Sequence, residues 1–139
     1  MDVLIATYLA WIISQTGLAL PNQPPVYFME PEEMNRGPVG SKKSTEFERQ
    51  SFYNRSERII YLPQGWQPDD LRQQSALLHE LVHHVQSFNN IVLPCNAAYE
   101  RQAYDLQIRW LREQGAKDPY NLIKTNELSI MLVSTCRDR

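Results

Sequence analysis

The chain has 139 residues, of which 42% are hydrophobic, enough to bury one core and too few to expect two, so a single domain over residues 1–139 is the default. A formal charge of −2 leaves no basic footprint, which argues against nucleic acid as a partner and makes a metal the better expectation.

Residues 1–20 open with an apolar run, Val3, Leu4, Ile5, Leu9, Trp11, Ile12 and Ile13. Asp2 stands where a signal peptide carries positive charge, and no Lys or Arg precedes Arg36. Thr7, Ser14 and Gln15 make the run too short and too polar to span a membrane. It reads as a folded first helix, with Gly17 as its C-cap and Pro21 blocking continuation. After Pro24-Pro25 the β-prone Val26–Met29 reads as the first strand. Glu30 to Gln50 is polar and broken by Gly37, Pro38 and Gly40, the pattern of a long surface loop. Phe52-Tyr53 and Arg58–Leu62 read as further strand, ended by Pro63 and Gly65.

Gln67-Pro68-Asp69-Asp70 opens a central helix that runs to about Phe88, with an Asp capping its free amides. Within it lies His79-Glu80-Leu81-Val82-His83-His84, which contains all three histidines of the chain. Residues four apart share a helix face, so His79 and His83 aim their imidazoles at one point. Glu80 sits one step round, placed to act on a water as a general base without ligating the ion. Leu77, Leu78, Leu81, Val82 and Val85 bury this helix, and an unpartnered polar cluster inside a buried helix is costly, which a metal ion would relieve. His84, about 100° from His83, is expected as a supporting or exposed residue and not a ligand.

Two histidines leave a catalytic zinc short of its usual three protein ligands. Pro94-Cys95-Asn96 starts a second strong helix ending near Gly115, and Glu100 on it is the best third ligand, with the small Ala103 on the same face allowing close approach. Asp105 or Glu127 is the substitute if Glu100 faces solvent. Asp118-Pro119 begins a last helix packed through Leu122, Ile123, Leu128, Ile130, Met131, Leu132 and Val133.

H-E-x-x-H followed on the next helix by a Glu with an Ala three positions on resembles the gluzincin branch of zincin metallopeptidases, particularly the minimal zincins, over roughly residues 57–106. The whole pattern, with Cys95 ahead of the Glu helix and Cys136 near the end, also looks like small bacterial zincin-like proteins. The resemblance implies an α+β fold with an N-terminal helix, a small sheet, an active-site helix, a Glu helix and a C-terminal helix. It implies Zn2+ held by His79, His83 and Glu100, Glu80 as general base and acid, and an edge strand around Arg58–Leu62 pairing with an extended peptide or protein substrate. Many gluzincins place an Asp four positions after the ligand Glu; that position is Tyr104 here, with Asp105 one step further round. Tyr104 or Tyr99 can instead donate a hydrogen bond to a developing oxyanion.

Cys95 and Cys136 are neither paired as C-x-x-C nor near the histidines, so they are read as a disulfide or two free thiols, with a secreted or periplasmic setting slightly favoured. Two functions follow: a zinc peptidase, or a zincin-like module whose metal only staples the fold or serves partner binding. Glu80 favours the first, because a structural zinc has no use for a general base. Substrate and oligomeric state have no signature in the sequence.

Overall fold

In a computed structural model of the chain, residues 1–30, 32 and 51–137 are described. Their elements run α1 (Asp2–Thr16), β1 (Val26–Met29), β2 (Phe52–Asn54), β3 (Ile59–Pro63), α2 (Leu71–Phe88), α3 (Ala98–Glu113), α4 (Pro119–Leu122) and α5 (Glu127–Ser134). This is the expected small α+β fold. The polar stretch Glu30–Gln50, read as a surface loop, lies outside the described residues apart from Glu30 and Glu32.

α1 buries Ile5, Tyr8, Leu9 and Ile12, residues three or four apart that form one stripe against the core. Gly17 ends the helix in the left-handed conformation, φ 72°, and returns its N–H to the Ile13 carbonyl, as the sequence predicts. α2 is capped by the Asp70 carboxylate, which accepts from the Gln73 amide. Every residue from Ser75 to Gln86 is buried, because α1, the sheet and α3 together surround this helix. Paired contacts run in opposite directions along α2 and α3, Ser75 with Gln107 and Gln86 with Tyr99, so the two helices are antiparallel.

The sheet corrects one expectation. Its order is β1-β3-β2, with β3 parallel to β1 and antiparallel to β2. The Arg58–Leu62 segment is therefore the middle strand and not an edge. Its backbone is committed on both sides, and a substrate cannot extend it. Ile60 and Leu62 are fully buried on the inner face, consistent with a central position. The strand that stands beside α2 is β2: Ser51 reaches the Ala76 carbonyl, and Tyr53 reaches His84.

Two helix boundaries differ as well. α3 begins at Ala98; the preceding Cys95, Asn96 and Ala97 form tighter turns through bonds from the Ala98, Tyr99 and Glu100 amides. The last helix is two. α4 stops at Leu122, Lys124 turns left-handed at φ 57°, and the Asn126 side chain caps α5 on the Ser129 amide. On α5 only Ile130 is buried; Leu128, Met131, Leu132 and Val133, expected to pack, are about half exposed. No helix among the described residues is long and apolar enough to cross a membrane.

Cys95 and Cys136 form a disulfide that joins the start of the α3 region to the segment after α5, across 41 positions. In the chain-entropy view a loop of that length contributes about 4 kcal/mol by restricting the unfolded chain. The Cys95→Ser, Cys136→Ser double variant is expected to lose about 2–4 kcal/mol of unfolding free energy in urea titrations. Its denaturation midpoint should coincide with that of reduced wild type.

Candidate metal centre

On α2, His79 and His83 place their Nε2 atoms 2.9 and 3.0 Å from one carboxylate oxygen, Oε1 of Glu100 on α3. The ligating atoms of the three residues all lie within 4.8 Å of one another, with both imidazoles buried and Glu100 half-buried. The trio expected from the sequence is thus brought together.

The far side of each ring is fixed by a buried amide. His79 Nδ1 lies 2.8 Å from Oε1 of Gln107, and His83 Nδ1 lies 2.9 Å from Oε1 of Gln86. The orientation of both amides follows from their other partners. Gln86 Nε2 donates to the Tyr99 carbonyl, which can only accept, so its oxygen must face His83. Ser75 Oγ donates to the Arg72 carbonyl and so accepts from Gln107 Nε2, leaving the Gln107 oxygen for His79. Both imidazoles accordingly carry hydrogen on Nδ1 and turn Nε2 toward the Glu100 oxygen.

These donors suit a metal ion. Two imidazole nitrogens and one carboxylate oxygen are a usual set for a divalent transition metal, and orienting the second ring nitrogen is what such sites require.

Glu80 lies beside the trio and outside it. It is buried, its carboxylate accepts from Ser51 Oγ at 2.8 Å, and its charge acts on both His79 and Tyr104. The Tyr104 ring meets the His79 ring edge to face, centroids 4.6 Å apart. Burial, with the Glu100 and Glu80 charges, pushes its hydroxyl up to about 12, so it remains a donor across the working pH range. Among the described residues that hydroxyl has no hydrogen-bond partner.

Asp105, Glu127, Tyr99 and His84 are placed elsewhere. Asp105 pairs through both oxygens with Arg101, which also binds Glu127, so neither carboxylate approaches the histidines. The Tyr99 hydroxyl donates to the Ile91 carbonyl and accepts from the Leu93 amide, fixing the α2–α3 connection. His84 is buried, not exposed: Nε2 faces the Asn22 carbonyl at 2.8 Å and Nδ1 faces the Tyr53 hydroxyl at 2.9 Å. It anchors the segment after α1 and strand β2 onto α2.

Sequence reasoning missed Gln86, Gln107, Ser75 and Ser51. The first two were within reach of the periodicity, since Gln86 is three after His83 and Gln107 seven after Glu100, each on its ligand's own face. Ser51 follows a segment without a readable pattern, and nothing in the sequence points to it.

Burial pushes the His79 imidazolium down, but the Glu100 hydrogen bond and the charges of Glu80 and Glu100 outweigh it and hold the group up at about 9. Burial pushes the Glu100 carboxyl up, but the bonds from His79 and His83 hold it well below the usual carboxylate range.

Residues 1–139 match the family described as domain of unknown function (DUF6647). No curated protein and no solved structure matches the chain.

With His79 raised from 6.5 to about 9, its contact stabilises the fold fully below about pH 6.5 and is lost as pH climbs through about 9. Glu100, depressed, contributes above its ordinary value and loses that contribution on acidification. Chelator-treated protein is therefore expected to lose stability between about pH 6.5 and 9, read as falling urea midpoints, with the slope flattened in Glu100→Gln. Affinity for a divalent metal should rise over the same interval, because binding displaces the protons. Gln107→Ala, which removes only the support of His79, should weaken metal binding about 10–100-fold in a competition titration with a coloured chelator.

Proposed function

Given that the chain belongs to the DUF6647 family, whose function is unknown, we propose from its own site that it is a zinc-dependent peptidase. The observation that carries this reading is the pairing of a buried His79, His83 and Glu100 trio with a separate carboxylate, Glu80, that is buried beside it and held by Ser51. A metal that only staples a fold needs the trio and a fourth ligand; it needs no poised base. Zinc, when bound by the trio, supplies Lewis acidity to a carbonyl and an acidic water.

The rest is done by the chain. Glu80 accepts a proton from the attacking water and delivers it to the nitrogen of the departing amine. Ser51 restrains the Glu80 carboxylate by donating to one of its oxygens, which leaves the other for the proton in flight. Tyr104, protonated and edge-on to His79, offers its hydroxyl to the carbonyl oxygen as that oxygen gains negative charge. Gln86 and Gln107 keep both imidazoles in the one tautomer that presents Nε2. The disulfide fits a secreted or periplasmic setting, where it would persist.

Elemental analysis tests the site. One zinc per chain is expected in wild type and little in His83→Ala or Glu100→Ala. Glu80→Gln should keep its zinc yet lose peptide hydrolysis about 10²–10⁴-fold. Tyr104→Phe should lose rate about 10²–10³-fold with metal content unchanged. Wild type that takes up no zinc after reconstitution, or equal activity in wild type and Glu80→Gln, would sink the peptidase reading.

A further inference from the structure

The α2 face that carries His79 and His83 lies between two walls. On one side β2 contacts α2 through Ser51 and Tyr53; on the other α3 does so through Glu100 and Gln107, with Tyr99 taking the bond from Gln86. At about 100° per residue, Ala76, His79, His83 and Ser87 fall on the strip between these walls. At the C-terminal end of that strip the β2–β3 turn swings over α2. Arg58 reaches the Ser87 carbonyl at 3.5 Å, and Arg55 lays its guanidinium 3.6 Å from the ring centre of Tyr99, on the opposite wall and adjacent in sequence to Glu100. Arg55 thus links the turn after β2 to the start of α3 with a cation.

The guanidinium face is occupied by the Tyr99 ring, which leaves the N–H edge for a ligand. Among the described residues no carboxylate forms an ion pair with Arg55, whereas Arg101 has two partners. A half-buried arginine, pinned by stacking and with no carboxylate partner among the described residues, is built to receive a planar anion through two parallel hydrogen bonds. Tyr99, on which the guanidinium rests, directly precedes the ligand candidate Glu100, and the Gln86 amide that donates to the Tyr99 carbonyl also holds His83, so the cation is tied to the candidate ligand set through one residue on each helix.

Resting on the peptidase reading above, we propose that Arg55 binds the free C-terminal carboxylate of a peptide substrate, so that the protein removes residues from a C terminus. The balance is ordinary hydrolysis: the C–N bond breaks, the water oxygen ends on the carbonyl carbon, and its proton ends on the released amine. No oxidant or further reactant is needed.

The Glu80→Gln variant, loaded with zinc, provides the binding assay, using a fluorescent mixed-sequence tetrapeptide with either a free or an amidated C terminus. The free acid should bind at least about tenfold more tightly, as one charge-assisted contact predicts. Arg55→Gln should abolish that preference and Arg55→Lys keep part of it, with circular dichroism and zinc content unchanged in both. Mass spectrometry of wild-type digests should show loss of C-terminal residues, and amidated peptide should resist. Equal binding of acid and amide, binding of neither, or internal cleavage indifferent to the terminus would overturn the proposal. Acid-selective binding with no cleavage by wild type would instead support the carboxylate site and sink the peptidase reading.

Discussion

The structure depends on one helix that is buried along most of its length while carrying Ser75, His79, Glu80, His83, His84 and Gln86 inward. Each unpaired polar atom in such a place costs on the order of 1–3 kcal/mol, so the surroundings of α2 are dictated as much by hydrogen-bond demand as by hydrophobic packing. Every element around it answers part of that demand. α3 supplies Glu100 and Gln107, the segment after α1 supplies the Asn22 carbonyl, and the β2 region supplies Ser51 and Tyr53. Among the described residues no buried side-chain polar atom is left without a partner.

The order of that dependence explains what was legible in the sequence. The H-E-x-x-H spacing on an apolar helix is a local pattern, and so is the pairing of α2 with the next helix, which follows from a short connection. His79, His83 and Glu100 could therefore be read directly, as could the Asp70 and Gly17 caps. Sheet order is not local. β3 pairs with β1 across an intervening strand, and the alternation of Ile60 and Leu62 suits an edge strand facing a core as well as a central one. The break between α4 and α5 turned on Lys124 adopting a positive φ and on Asn126 capping, against an apolar run that by itself favoured one helix. The two glutamines have no comparable signal, because the position where the resemblance calls for a carboxylate beside a ring holds Tyr104, and a neutral amide on a buried helix face carries no motif.

That difference in partner has electrostatic meaning. An imidazole whose second nitrogen donates to a carboxylate is a stronger electron donor than one held by a neutral amide. With Gln86 and Gln107 in that role, the formal negative charges that act on the His79 ring among the described residues are those of Glu100 and Glu80. One belongs to the ligand set and the other to the proposed base. A neutral outer sphere keeps a bound dication electron-poor, which suits a Lewis acid, and it makes retention of the ion lean on the geometry of the amides.

The donor trio lies between positions 79 and 100, inside one helical hairpin, whereas the β1–β3 pair unites Val26 with Ile60. Closing the hairpin orders a short stretch of chain, and closing the parallel pair orders a longer one, so local contacts are favoured early in folding. The ligands would then meet before the strand region that supplies Ser51 and the turn that supplies Arg55 settle against α2. A metal present during synthesis would encounter a chelating hairpin ahead of a finished cleft, and its capture would act as a nucleus on which the wall of the cleft is afterwards laid.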